Sequence, residues 1–179
     1  MLGRLAGLIR GSDRQDSSRG LQAARLHAAY DRPYFAPALF NLIPVCTDQI
    51  GSMAVDSRWR LYYNDKWLAS HSVEQNAAVI LHEVSHLLRD HEGRKQAAGV
   101  KDDRLWNTAT DCEINDDLLA EGLPLPNHPP SPEQFGLETG EEAETYYRSL
   151  SSPATQARRG NKTAPTQGTD CGSGAHGQR

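Results

Sequence analysis

The residues best suited to chemistry lie between His82 and His86, a run that reads His-Glu-Val-Ser-His. Imidazole nitrogens bind zinc, and a neighbouring glutamate is a residue type that takes a proton from water. Residues four apart on a helix lie about 40° apart around its axis, so His82 and His86 can bind one ion. Glu83 points roughly 60° away from His86, towards a water on that ion. The spacing therefore predicts two metal ligands and a general base for metal-assisted hydrolysis.

A helix must carry this run, and the flanking sequence predicts one. No glycine or proline interrupts residues 72–92, and Ser72 or Glu74 stands where the helix would begin. Gly93 stands where it would end. On a helical wheel the aliphatic residues cover one arc, and both histidines lie on the opposite arc, facing a cleft. This context favours a metal site over a chance match in an ordinary helix.

A second helix, predicted over residues 104–121, offers a third ligand. Asp111 lies in the middle of its apolar face, where an unpaired carboxylate is costly and a metal ion would compensate it. Asn107 and Asn115 lie about one turn to either side and are predicted to orient Asp111. The alternative is an Asp111 hydrogen-bonded by these amides in an ordinary core. Glu113 is also a carboxylate, but it points roughly 200° away from Asp111.

His91 follows His86 by five residues and is a rival third ligand. On a regular helix it lies about 180° from His82 and faces the core, which predicts a supporting position behind the ligands. If the helix ends early, His91 becomes available for ligation. Attack on a carbonyl also requires a donor for the developing oxyanion. The sequence leaves four candidates for that donor: Tyr146, Tyr147, His128 and His91.

The remaining pattern predicts an α+β fold that is mainly helical. Further helices are predicted over about residues 18–30, 34–43 and 140–150, and a β-hairpin over 53–55 and 59–63. The hairpin is expected to cover the metal-binding helix, with an open edge that an extended peptide can join. Residues 93–101 are predicted to form a loop, and the proline-rich residues 124–132 an extended crossover.

Composition limits the class of partner and the domain organisation. The 179 residues carry a net charge of −4, which argues against nucleic acid and anionic membranes as partners. No run approaches the roughly 18 apolar residues of a membrane span, and three cysteines without framework spacing predict the cytoplasm. We expect a flexible leader over residues 1–17, one domain over 18–150, and a disordered linker or tail over 151–179. Such a tail predicts that the chain is the front part of a longer protein.

Several stretches together carry a family resemblance. They are His82–His86 with His91 and Arg94, Trp106–Asp111 running into Asn115, Gly122–Pro124, and Leu61–Asn64. These resemble the metallopeptidase domain that precedes a von Willebrand factor A-like domain in a family of bacterial proteins. The resemblance covers about residues 33–150, and residues 170–177 resemble the segment between the two domains of that family.

The resemblance implies a zincin-like fold and one Zn²⁺ ion. By position, it implies His82, His86 and Asp111 as the metal ligands and Glu83 as the base, and the wheel argument leads to the same residues. It also implies a MoxR-type AAA ATPase as a partner.

Three functions are compatible with these residues. The first is a zinc-dependent peptidase that acts on a protein or peptide. The second is a non-catalytic module that keeps the metal for folding and docks an AAA ATPase or a client protein. The third is a metal hydrolase that acts on a non-peptide bond. Glu83 favours an enzyme, because a purely structural metal site does not require a general base.

Overall fold

The computed structural model describes residues 18–153, and it confirms a mainly helical α+β fold. The helices are α1 (residues 18–31), α2 (Ala36–Asn41), α3 (Asp65–Ala69), α4 (Val73–Leu88), α5 (His91–Ala97), α6 (Asp103–Ala120) and α7 (Ala143–Ser151). The strands are β1 (Ile43–Cys46), β2 (Met53–Val55) and β3 (Arg60–Tyr63), and short 3₁₀ turns cover Pro33–Phe35 and Pro132–Phe135. The predicted leader and nearly all of the predicted tail lie outside the described residues.

The sheet is mixed, with the order β1-β3-β2. The predicted hairpin is confirmed, because β2 pairs antiparallel with β3. Strand β1 pairs parallel with β3 and was not predicted. The prediction of a helix reaching Ile43 is wrong, because α2 ends at Asn41 and the chain then enters β1. Pro44 is tolerated there because β1 is an edge strand, on which a missing N–H need not break the ladder.

Helix α4 begins where the sequence places it and ends earlier. Ser72 forms a capping box with Gln75, in which each side chain bonds the backbone N–H of the other. The prediction that the helix reaches residue 92 is wrong, because Asp90 adopts a left-handed backbone with φ +49° and α4 stops at Leu88. The change of direction at Asp90 starts a separate helix at His91.

The predicted loop over residues 93–101 is also wrong over its first half, which belongs to α5. The carboxylate of Asp90 caps α5 by accepting from the Gly93 N–H. A Cβ at position 93 would clash with that carboxylate, so glycine permits the close approach of the cap. Gly93 therefore serves to start a helix here, where the sequence pattern indicated a stop.

Helix α4 is buried on every side along most of its length, up to His86. Residues 76–86 are all buried, because α2, β2 and α6 pack around them. The expectation that the histidines leave the packing face is therefore incomplete, because they face an interior junction with α6. Helix α6 is capped by Asp102 and packs along α7 through an apolar cluster: Ala109, Cys112, Tyr146 and Leu150. Within residues 18–153 no helix is both long and apolar enough to cross a membrane.

Candidate metal centre

The junction of α4 and α6 brings His82, His86 and Asp111 together. The two Nε2 atoms of the histidines lie 3.0 Å apart. The Asp111 Oδ1 atom lies 3.5 Å from Nε2 of His82 and 3.4 Å from Nε2 of His86. Ligand atoms about 2.0–2.1 Å from a tetrahedral zinc lie about 3.3 Å from one another. The three separations therefore match three corners of such a site.

The cluster is almost entirely buried, and one of its oxygens has no hydrogen-bond partner among the described residues. His82, His86 and Asp111 are 3 %, 4 % and 6 % exposed. The Asp111 Oδ1 atom is buried and has no hydrogen-bond partner among the described residues, since both imidazole nitrogens lie too far away for a strong bond. An ionised oxygen left this way is costly unless a cation compensates it. Two imidazole nitrogens and one carboxylate oxygen are a donor set that zinc accepts.

The hydrogen bonds of Asn115 fix the tautomer of His82. The amide Nδ2 of Asn115 donates to the carbonyl oxygen of Pro130 at 2.8 Å. The amide oxygen must then face His82, whose Nδ1 lies 2.8 Å away and must carry the hydrogen. The Nε2 lone pair of His82 therefore points into the cluster. Asn115 was predicted to orient Asp111, and here it orients a histidine.

A longer chain of groups holds His86. Its Nδ1 lies 2.9 Å from Nδ1 of His91, and Nε2 of His91 lies 3.5 Å from the Glu113 carboxylate. The second distance is long for a hydrogen bond, so the attraction is mainly electrostatic. A carboxylate at that position favours the hydrogen on Nε2 of His91, which leaves its Nδ1 to accept from His86. The Nε2 lone pair of His86 then also faces the cluster.

Glu113 lies at the meeting point of four helices. It accepts from Arg89 at 3.0 Å, from Arg94 at 3.0 and 3.1 Å, and from the Ala143 N–H at 2.7 Å. Burial raises the pKa of Glu113, but His91, Arg94 and the Ala143 N–H outweigh burial and hold it well below its ordinary value. Glu113 points away from Asp111, as predicted, yet its side chain is only 11 % exposed. The side of α6 opposite Asp111 is therefore also covered at Glu113, by residues of α5 and α7.

Two of the three clustered residues favour the protonation state that binds a cation. Burial disfavours the charged form of His82, but Asp111 and Glu83 outweigh it and raise the pKa. At His86 burial dominates and lowers the pKa to about 4. Burial opposes the ionisation of Asp111, but both imidazoles outweigh it and lower its pKa. Metal ligands bind as neutral imidazole and ionised carboxylate, and His86 and Asp111 already favour those forms.

Glu83 lies inside the same junction. It is 0 % exposed, and its charge acts on the imidazole of His82. A glutamate is rarely buried completely without compensation. Glu83 therefore lies close enough to His82 for their charges to interact.

Each imidazole lines a different pocket. The His86 pocket has a volume of about 160 Å³, and its walls include Val55, Asp56, Trp59, His86, His91, Trp106 and Asn107. The His82 pocket has a volume of about 70 Å³, and its walls include Ser52, Trp67, His82, Asp111, Asn115 and residues 125–130. Asn107, predicted to orient Asp111, thus belongs to a pocket wall. A pocket therefore borders the cluster on each of two sides.

The four candidate oxyanion donors have different surroundings in the structure. The Tyr146 hydroxyl bonds Asp116 and the carbonyl of Glu138, and burial raises its pKa to about 12. The Tyr147 hydroxyl accepts from the N–H groups of Lys101 and Asp102. Both tyrosines therefore belong to the α6–α7 packing.

The two candidate histidines, His91 and His128, lie in different surroundings. His91 is buried behind His86, whereas the exposed His128 lines the His82 pocket beside His82 and Asp111. Sequence reasoning missed Arg89 and Glu113 as parts of the His86 support. The spacing of Arg89 and Arg94 around His91 was the available signal.

A mainly helical α+β domain with a buried His-His-Asp cluster on two packed helices defines the class as a candidate metal-binding protein. Residues 16–179 match a family described as a putative metallopeptidase domain, and the chain belongs to that family. No curated protein and no solved structure matches the chain.

Proposed function

We propose that this protein is a zinc-dependent peptidase that hydrolyses peptide bonds in a protein or peptide substrate. The observation that carries the proposal is the convergence of His82, His86 and Asp111, with Asp111 Oδ1 lacking a hydrogen-bond partner. These three residues would hold one Zn²⁺. When bound, the ion supplies the Lewis acidity that makes water a nucleophile near neutral pH and polarises a carbonyl.

The residues of the chain supply the rest of the reaction. Glu83 accepts a proton from the attacking water and later delivers it to the nitrogen of the leaving amine. Glu83 is fully buried, so bulk water cannot compete with its carboxylate for the proton. Asn115 and His91 hold the two imidazoles with their Nε2 atoms facing inward.

The route of an extended substrate follows strand β2. Ser52, just before the strand, lines the His82 pocket, and Val55 at its end lines the His86 pocket. In the described residues β2 is an edge of the sheet, but its three residues are 0–4 % exposed, so a peptide could pair with its backbone groups only once that edge is uncovered. A peptide on that edge would pass from one pocket to the other across the cluster.

The test is metal analysis combined with proteolysis by matched variants. We expect about one zinc per purified chain, its loss in His82→Ala, and its retention in His27→Ala, which removes an imidazole on α1. Glu83→Gln should keep zinc and lose cleavage, whereas Glu74→Gln, an exposed glutamate on the same helix, should keep both. A wild type that binds no zinc would end the proposal.

The non-catalytic alternative predicts a different result for the same variant. A docking module would keep both zinc and its cellular effect in Glu83→Gln, whereas a peptidase would lose that effect. We also propose a zincin-like fold and a MoxR-type AAA ATPase partner, from the resemblance to the domain that precedes a von Willebrand factor A-like domain. A cytoplasmic location is proposed from the three cysteines without framework spacing. Co-purification of that ATPase with wild type tests the partner.

A further inference from the structure

The loop of residues 125–130 forms one wall of the His82 pocket. It reads Leu-Pro-Asn-His-Pro-Pro, so prolines stand on both sides of Asn127 and His128 and restrict the backbone. Asn115 anchors the loop through its bond to Pro130 O at 2.8 Å while accepting from His82 Nδ1. A single amide side chain therefore fixes this loop relative to the imidazole of His82.

Asn127 and His128 hold an uncommon backbone within this loop. Their φ angles are +62° and +51°, in the left-handed region that few residues other than glycine adopt. His128 also precedes Pro129, and a residue before proline normally prefers an extended conformation. The chain keeps His128 in place against both preferences. Positive φ also occurs at Trp59 and Asp90, but strained backbone clusters at active sites and ligand clamps, and only here does it adjoin the pocket of His82 and Asp111 among the described residues.

His128 also presents the right chemistry in this place. It is exposed, yet it shares a pocket with the buried His82 and Asp111. An imidazole N–H is a suitable donor for an oxygen that becomes negative. The competing donors Tyr146 and Tyr147 are engaged between α6 and α7.

We propose that His128 is a catalytic residue that donates a hydrogen bond to the carbonyl oxygen of the scissile peptide bond as that oxygen becomes negative. The inference rests on the proposed peptidase function. Water adds to the carbonyl carbon, the C–N bond breaks, and the water proton reaches the leaving nitrogen through Glu83. His128 keeps its own proton throughout, so its contribution is the stabilisation of charge alone.

The experiment compares His128→Gly with Asn127→Gly in the zinc-loaded chain of 179 residues. Both residues are exposed, line the same pocket and have positive φ, so glycine fits either position and loosens the loop equally. Zinc content, cleavage of denatured casein, and the dissociation constant of a phosphinic analogue of acetyl-dialanine amide are measured. The phosphinate carries tetrahedral oxygens and reports the interaction without turnover.

We expect both variants to retain zinc. His128→Gly should cleave casein about 100-fold more slowly and bind the phosphinate about 10- to 100-fold more weakly, whereas Asn127→Gly stays within about threefold of wild type. Equal losses in both variants, or no loss in His128→Gly, would overturn the role of His128. A zinc-loaded wild type that neither cleaves casein nor binds the phosphinate would overturn the peptidase proposal itself. If wild type binds the phosphinate without cleaving casein, the phosphinate affinities of the two variants decide the role of His128.

Discussion

The two imidazoles of the cluster are supported in different ways. His82 rests on Asn115, a neutral amide whose other end binds a main-chain carbonyl. His86 rests on His91, behind which stand Glu113 and the guanidinium groups of Arg89 and Arg94. One support is short and uncharged, and the other is a charged network that joins four helices.

Although the two supports differ, both hold an imidazole in the same orientation relative to the cluster. On both sides Nδ1 is engaged and Nε2 faces the cluster. On the Asn115 side the support also positions a pocket wall, the loop of residues 125–130. On the Glu113 side it ties the end of α4 to α5, α6 and α7. We therefore expect the Asn115 side to affect catalysis and the Glu113 side to affect stability.

The largest expected effect comes from Glu113→Ala, which leaves Arg89, Arg94 and the Ala143 N–H without their shared acceptor. Breaking such a partly buried network should lower the free energy of unfolding by about 3 kcal/mol. Asn115→Ala, which leaves fewer polar groups unpaired, should cost about 1–2 kcal/mol. Urea denaturation of the zinc-free proteins measures both values. Equal losses would remove the proposed contrast between the two sides.

Metal affinity tests the feature that the two sides share. His91→Ala and Asn115→Ala should each weaken zinc binding about 10- to 100-fold, because each frees one imidazole to rotate or change tautomer. Competition with a chelator of known affinity measures the change. Gln134→Ala, which removes a bond to Pro129 O on the same loop as Pro130, is the control and should leave zinc affinity unchanged. An unaffected affinity in His91→Ala would show that His86 needs no support.

Acid should weaken the Glu113 network selectively. The pKa of Glu113 is lowered in the folded protein. Its ionised carboxylate therefore contributes fully to the free energy of unfolding above the pKa of the unfolded chain, about 4.3, and this contribution is lost as the pH falls towards the pKa of the folded protein. The difference in unfolding free energy between wild type and Glu113→Gln should therefore shrink by about 1–2 kcal/mol between pH 7 and pH 3. Denaturation at several pH values measures it. A difference that grows on acidification would contradict the sign.

The smallest effect is expected at Gly93. A Cβ there clashes with the Asp90 carboxylate that caps α5, so Gly93→Ala should cost about 1 kcal/mol, the value of a helix cap. Gly99→Ala, at the other end of α5, serves as a control because a Cβ there meets open space. Its φ of +61° means that alanine strains the backbone at this position without a clash. Thermal denaturation compares them. We expect only Gly93→Ala to lower zinc affinity, by a few-fold, through the displacement of His91.

Helical periodicity in the sequence predicted some of the site residues, whereas other features of the site could not be found from the sequence. The buried face of α6 pointed to Asp111, and the caps at Ser72 and Asp102 were visible as local patterns. The left-handed turn at Asp90 was not visible, because aspartate adopts that backbone only occasionally and no local pattern marked it here. That turn brings His91 behind His86.

Strand β1 and the environment of Glu113 depended on distant partners. Pro44 argues against a central strand, and only the pairing with β3 makes an edge strand of residues 43–46. Glu113 is a solvated carboxylate by helical position alone. Its burial follows from α5 and α7, which lie far from it along the chain and pack against it in space.

The burial of residues 76–86 on α4 has a consequence for the lifetime of a bound ion. An ion held by atoms that solvent reaches so little can leave only when the junction of α4 and α6 opens or when a pocket wall moves. Chelators should therefore remove it at a rate set by the opening motion, with little dependence on their own concentration. Loading during synthesis would face the same barrier in reverse, which favours capture before the last helices dock.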